Sequence, residues 1–356
     1  MSMLAEVNVR GPRPYRVCIG ERLEAECAAH VSSLGPGRVV VLCQPTVAHY
    51  AHQLIKQWAE IPSTIIEIPD AEEAKTYATA QRLWDRLGEL KIGRRDVIIG
   101  FGGGAATDLA GFIAATWMRG IEVIHIPTTV LAMVDAAVGG KTGINTPGGK
   151  NLVGAFHEPS AVFIDIQYLA SVPQSDRIAG SAEIIKTGFI ADPQILELYV
   201  QSPTRCLDIT GDLPELIHRS VSVKANVVAQ DLKESGLREI LNYGHTFGHA
   251  VERYEQYRWR HGDAVAIGMA FVAHLSEIKG VMTGDLVALH EEILSSIGLP
   301  IRYQNAGFED LYAAMSVDKK NRDGRIRFVA LNDVATPTRI DDATTAQLKE
   351  AYARIS

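Results

Sequence analysis

Three histidines carry the most chemical information in the chain. His245 and His249 lie in Asn242-Tyr243-Gly244-His245-Thr246-Phe247-Gly248-His249, and His261 follows in Arg260-His261-Gly262. Residues four apart on a helix share a face, so His245 and His249 are expected side by side. A helical turn and a loop can return His261 to the same point. Imidazoles converging in this way hold catalytic divalent metals. A lone histidine is more often structural or exposed. Here Gly244 and Gly248 flank the pair inside a helical stretch, where each glycine costs about 1 kcal/mol against alanine. That pattern predicts a close approach to the backbone and a metal site. Zinc on two imidazoles and a carboxylate keeps positions open for substrate oxygens.

A second group of residues suits anions. Gly100-Phe101-Gly102-Gly103-Gly104-Ala105 follows a predicted strand and leads into a predicted helix. It fits G-x-G-x-x-G/A, in which backbone N–H groups meet a pyrophosphate at a helix N-terminus. A tight strand-to-helix turn fits it equally, with Asp108 as a favourable charge in the first helical turn. Val134-Asp135 through Gly139-Gly140-Lys141-Thr142 resembles a P-loop, but Asp135 stands where glycine is required. A second Gly-Gly-Lys-Asn runs from Gly148 to Asn151. Two such elements so close favour anion binding over two coincidental turns. Glu183 and Lys186 share a helical face, either as a surface ion pair or, given apolar neighbours, as a buried functional pair. Asp231, Glu234 and Arg238 read by themselves as a solvated stripe.

The elements that must position these residues change character midway. Apolar runs at 6–9, 16–19, 38–43, 64–68, 96–100, 122–126 and 162–166 alternate with helical patterns at 46–60, 72–91 and 107–118. Nearly continuous apolar strands separated by helices predict a parallel sheet covered on both faces. From about Ser171-Val172-Pro173 onward, amphipathic stretches at 176–190, 213–235, 238–257, 264–279 and 286–297 predict a mostly helical domain, with one late strand at 326–331. The expected division is residues 1–172 and 173–356. Ligands of open α/β sheets bind at the carboxyl ends of the strands, so a cleft between that edge and the helical domain is expected.

The whole chain limits the function classes. At 356 residues, two domains are the default, and 47% hydrophobic content supports a sizeable core. A net charge of -7 argues against a nucleic-acid partner. No long apolar span or secretory h-region is evident, so neither membrane insertion nor secretion is expected. Cys18, Cys27, Cys43 and Cys206 form no C-x-x-C pair and read as reduced thiols of a cytoplasmic protein.

Taken together, these segments resemble the 3-dehydroquinate synthases of the sugar phosphate cyclase family. The resemblance covers most of the chain and is strongest from Gly102 to Gly268. It is carried by the run Gly102 to Phe112 around Asp108, by Pro127-Thr128-Thr129, by Val134-Asp135 through Thr142, and by Gly149-Lys150-Asn151. It continues through Ala182-Glu183-Ile184-Ile185-Lys186, Lys224 to Arg238, Leu241 to His249, and Trp259 to Gly262. It implies a Rossmann-like NAD-binding domain followed by a helical domain holding Zn2+ or Co2+. Glu183, His245 and His261 become the metal ligands, and His249 turns from a ligand into an acid/base, with Glu234 at another acid/base position. Lys224 and Arg238 match residues that hold the substrate carboxylate. Lys141, Asn151, Asn242, Arg119 and one of Lys319 or Lys320 match a phosphate shell, with Arg119 reaching across a homodimer interface. Asp135 and Lys186 match positions beside the reacting hydroxyls. For NAD the matches are Glu72, Lys75, Gly103, Gly104, Ala105, Asp108, Thr128, Thr129, Lys141 and Lys150. Ser171 keeps the hydroxyl of a common threonine. Cys43-Gln44-Pro45-Thr46 lacks the acid that many relatives place there to hold the adenosine ribose.

The implied reaction belongs to the shikimate pathway, on the route to aromatic amino acids. It converts the sugar acid phosphate 3-deoxy-D-arabino-heptulosonate 7-phosphate (DAHP) to 3-dehydroquinate and phosphate. Transient oxidation at C5 acidifies the neighbouring C–H and permits β-elimination of phosphate. Re-reduction, ring opening and an intramolecular aldol then close the carbocycle. Three other readings share parts of the pattern. A metal-dependent polyol dehydrogenase would share the glycine turn and the metal, but not the anion shell. A cyclase for an amino analogue, or for a sugar phosphate without the carboxylate, would differ around Lys224, Arg238 and Asn242. A non-enzymatic metal or nucleotide sensor is a more distant reading.

Overall fold

The structure, a computed structural model, describes residues 2–234, 236–319 and 325–356. The chain divides into two compact units. One holds everything up to Val172 together with Lys224–Lys233; the other holds Pro173–Val223 and Glu234–Ser356.

The first unit contains β1 (Ser2–Val9), β2 (Tyr15–Glu21), α1 (Glu24–Leu34), β3 (Val39–Cys43), α2 (Ala48–Leu54), β4 (Ser63–Glu67) and α3 (Tyr77–Glu89). It continues with β5 (Val97–Gly102), α4 (Gly104–Thr116), β6 (Glu122–Pro127), β7 (Lys141–Thr146), β8 (Gly149–Phe156) and β9 (Ala161–Asp165). Seven strands form one sheet in the order β1-β2-β9-β6-β5-β3-β4. Every neighbouring pair is parallel except the edge pair β1 and β2. The expected parallel sheet is therefore present, with one antiparallel edge strand. Side chains alternate across a strand, and β3 shows why its whole run is apolar. Val39, Val41 and Cys43 enter the core on one face, and Val40 and Leu42 enter the core on the other.

The Gly-Gly-Lys segments lead into strands: Gly139 and Gly140 form the bend before Lys141, and Gly148 sits in the turn before Gly149. Lys141–Thr146 and Gly149–Phe156 pair as an antiparallel hairpin, with Gly143 opposite Gly154. A Cβ on Gly154 would stand 2.2 Å from the Thr142 carbonyl oxygen, so close strand contact explains that glycine.

The second unit carries α5 (Gln174–Ile190), α6 (Pro193–Gln201), the start of α7 (Leu213–Gln230), α8 (His245–Tyr254), α9 (His261–Ile278), α10 (Gly284–Ser296) and α11 (Phe308–Lys319). A hairpin of β10 (Phe328–Asp333) and β11 (Thr336–Ile340) and then α12 (Thr345–Ile355) complete it. Helix α9 is buried continuously from Ala264 to Ser276, as expected of a helix that is apolar all round. It packs against α5, α8, α10 and α12.

Two helical expectations need correction. The 238–257 stretch is not one helix: a 3-10 turn, Leu237–Asn242, ends before α8, and Gly244 between them has φ +77°. Helix α7 ends at Gln230, and Glu234 has φ +58°. Asp231, Glu234 and Arg238 therefore share no helix face. No helix among the described residues is long and apolar enough to cross a membrane, and all four cysteines are buried free thiols.

Candidate metal and cofactor sites

In the second unit, Glu183, His245 and His261 converge. Their ligand atoms all lie within 4.8 Å of one another. The middle of α5 supplies Glu183, which is 3% exposed. The first residue of α8 is His245, and the first of α9 is His261. Glycines let these two helix starts meet. A Cβ on Gly268 would fall 1.8 Å from the Gly244 carbonyl oxygen, and one on Gly248 would fall 2.9 Å from the Ala264 oxygen. The glycines flanking the histidines thus serve helix-to-helix contact. The sequence had pointed to a close backbone approach, and the partner is α9.

Hydrogen bonding orients these side chains. His245 Nδ1 lies 3.1 Å from the Tyr243 carbonyl oxygen, which can only accept, so Nε2 keeps its lone pair. That Nε2 is 3.4 Å from Glu183 Oε1, and His261 Nε2 is also 3.4 Å from Oε1. Glu183 Oε1 is buried with no hydrogen-bond partner. Its other oxygen, Oε2, pairs with Lys186 Nζ, which also donates to the Leu241 carbonyl at 2.6 Å. The Glu183–Lys186 pair is therefore buried. Burial works against ionisation of Glu183, but Lys186, His245 and His261 outweigh it and hold the carboxyl well below its usual range. Burial, then the Lys186 ammonium, lowers His245 to about 3. Burial also disfavours a charge on His261, yet the nearby carboxylates of Glu183 and Glu252 raise it to about 10. An orphaned carboxylate oxygen facing two imidazole nitrogens fits a divalent cation of the zinc or cobalt kind.

His249 stands on the same face of α8, its ring 5.2 Å from that of His245 and 6.2 Å from that of His261. It is exposed. Three residues were not singled out in the sequence. Glu252, buried at 3%, lies 3.2 Å from His261 Nδ1. Tyr243, whose carbonyl meets His245, forms a buried pair with His290, its hydroxyl 2.8 Å from His290 Nε2. Spacing could have found Glu252, seven residues after His245 on one helix face. His290 has no such signal.

Other expected substrate residues fall in both units. Asn242 hydrogen-bonds Glu234 through its side-chain amide. Arg238 is 2% exposed. In the first unit, Lys224 pairs with Asp135. Lys141 and Arg119 are exposed, and Arg119 has φ +69°. The side chain of Lys319 and the whole of Lys320 lie outside the described residues.

The glycine turn of the first unit is sterically closed. Gly102 has φ +151°, and a Cβ there would stand 2.7 Å from Gln44 Oε1 and 2.9 Å from the Ala106 Cβ. The Gly103 N–H donates to Gln44 Oε1 at 3.0 Å, while Gln44 Nε2 donates to Asp70 at 2.8 Å. Gln44, where an acid was missed, thus ties the turn to an acid from the neighbouring strand's end. Thr128, 4% exposed, follows β6 and donates its N–H to the Gly102 carbonyl at 2.9 Å, with Thr129 next to it. Helix α4 begins at Gly104, so Asp108 is past its first turn. Its charge is answered by Lys75, 2% exposed, whose Nζ lies 2.6 Å from both Asp108 Oδ2 and Asn151 Oδ1. Burial pushes the Asp108 carboxyl up against the pull of Lys75. Glu72 accepts from Asn145 at 2.6 Å. Glu72, Lys75, Asp108 and Asn151 are thereby linked, because the Asn151 N–H donates to Asn145 Oδ1 at 3.0 Å, and Gly104 and Ala105 open α4. Ser171 donates to the Tyr168 carbonyl at 3.2 Å, and Lys150 is half-buried on β8.

Family models of 3-dehydroquinate synthase match the chain at residues 65–179 (the N-terminal part) and 180–321 (the C-terminal part). A 3-dehydroquinate synthase of Corynebacterium diphtheriae is 57% identical over 352 residues, covering 98% of each chain. Among solved structures, 2-deoxy-scyllo-inosose synthase complexed with carbaglucose-6-phosphate, NAD+ and Co2+ superposes with a TM-score of 0.89. It is 25% identical and covers 99% of this chain and 100% of that one. The 2-epi-5-epi-valiolone synthase ValA of Streptomyces hygroscopicus, with NAD+ and Zn2+ bound, gives 0.87 at 26% identity over 100% and 98%. With both halves matched in order, the chain belongs to the 3-dehydroquinate synthase family.

Proposed function

We propose that this enzyme converts DAHP to 3-dehydroquinate and phosphate, as a carbon-oxygen lyase that closes a carbocycle without net redox change. The observation that carries the reading is 57% identity across 98% of both chains to a 3-dehydroquinate synthase. It is supported by the Glu183 oxygen left without a hydrogen-bond partner between two imidazoles. Glu183, His245 and His261 would hold the divalent metal. Glu72, Lys75, Asp108, Thr128, Thr129 and the turn Gly103 to Ala105 would hold NAD. When bound, NAD supplies reversible hydride exchange at C5, and the metal supplies Lewis acidity at a substrate hydroxyl.

The chain's own residues do the rest. The buried Lys186 ammonium holds Glu183 ionised. His249, exposed beside the histidine cluster, would move protons at the substrate. Glu234, held by Asn242, is the second acid/base. Lys224 and Arg238 would pair with the substrate carboxylate, Lys141, Asn151, Asn242 and Arg119 would surround phosphate, and Lys150 would join the NAD residues. The enzyme is expected in the cytoplasm as a homodimer, with no nucleic-acid or membrane partner. The test mixes purified protein with DAHP, NAD+ and Zn2+ or Co2+, following phosphate release and NADH absorbance together. Phosphate should accumulate over many turnovers while NADH does not. Absence of phosphate sinks the reading, and NADH formed in proportion to an oxidised alcohol would favour a polyol dehydrogenase.

A further inference from the structure

Glu252 is costly where it stands. It lies two residues before the end of α8, where a negative charge opposes the helix dipole. It is also 3% exposed, and a buried carboxylate must be compensated. Helix stability therefore does not account for it. Its oxygen Oε2 is 3.2 Å from His261 Nδ1, on the far side of the ring from the Nε2 that faces Glu183 at 3.4 Å. The other imidazole of the cluster is supported differently, because His245 Nδ1 meets a neutral carbonyl, that of Tyr243. A charged acceptor fixes the tautomer and makes the opposite nitrogen a stronger donor than a neutral acceptor does.

We propose that Glu252 is a positioning residue of the metal centre. Its carboxylate accepts the Nδ1 proton of His261 and so presents Nε2, with its lone pair, to an ion shared with Glu183 and His245. This rests on the metal reading given above. His249, Glu252 and His261 also form a group with ligand atoms within 4.8 Å. A second ion there would have to take the His261 Nδ1 that Glu252 already engages, so one ion per chain is expected.

The test uses the full chain, stripped of metal and titrated with Co2+ against a competing chelator, with the visible Co2+ spectrum recorded. Glu252→Gln keeps the shape and an acceptor but removes the charge, and should weaken Co2+ binding about tenfold; Glu252→Ala should reach about a hundredfold. The Co2+ absorption bands should shift in both variants, while the metal-free proteins keep the wild-type far-UV spectrum. In a His261→Ala background, Glu252→Gln should change affinity less than twofold. Wild-type affinity in both Glu252 variants, an equal loss in both backgrounds, or two Co2+ per chain would overturn the proposal. Glu183→Ala and His261→Ala are the controls. If neither weakens Co2+ binding, the metal reading itself has failed, an outcome distinct from failure of Glu252 alone.

Discussion

His245 and His249 are one residue type, four apart on one helix face, and only their surroundings separate them. His245 is buried, spends Nδ1 on the Tyr243 carbonyl and turns Nε2 toward Glu183. His249 is exposed. His245→Ala is therefore expected to lose the metal, as read by bound zinc per chain. His249→Ala should keep it and lose phosphate release by about 10²–10⁴-fold, the usual scale for a missing acid/base. Retained phosphate release would remove His249 from that role, and lost metal would make it a ligand. Spacing brought the two histidines together in the sequence but could not rank them, because rank depends on burial. Glu183 was less legible still. From the residues alone it was half of an i,i+3 pair, and what marks it is an orphaned oxygen that α8 and α9 approach from far along the chain.

The elements were legible where one force dominates. Strands β3, β5 and β9 are apolar on both faces because helices cover both faces, and the sequence shows this as an unbroken run. The hairpin of β7 and β8 is hidden because the glycines at its entry and turn, Gly139, Gly140, Gly148 and Gly149, carry a phosphate-loop pattern, while Gly154 inside it answers a strand contact. The break before α8 was missed because a left-handed glycine leaves the apolar periodicity intact. That break and Gly268 of α9 set how the starts of α8 and α9, with His245 and His261, come together. In Gly268→Ala the new methyl would stand 1.8 Å from the Gly244 carbonyl oxygen. Backbone cannot yield as a flexible side chain can, so the helices must separate. The expected cost is about 3 kcal/mol, the upper range for overpacking, visible as a lower urea midpoint together with weakened metal binding. A variant as stable as wild type, with metal affinity unchanged, would show that the helix contact does not position His245 and His261.

At the scale of the whole molecule, charge and division of labour meet. A net charge of -7 repels a substrate carrying both carboxylate and phosphate, so anion recognition has to be local. The glycine turn and the Lys75–Asp108 pair belong to the first unit, and Glu183, His245 and His261 belong to the second. If NAD and metal are held by those groups, each ligand should stabilise its own unit first. Binding at a hundred times Kd contributes about 2.7 kcal/mol, enough to slow local amide exchange about a hundredfold where opening releases the ligand. Hydrogen exchange followed by mass spectrometry can resolve this in the full chain. NAD+ alone should protect residues 102–108 and 72–75. Zn2+ alone should protect the middle of α5 and the first turns of α8 and α9. Zinc that protects the glycine turn while leaving α8 and α9 unchanged would place the metal elsewhere. NAD+ that protects neither 72–75 nor 102–108 would remove those residues from the cofactor site, whatever the chain's family.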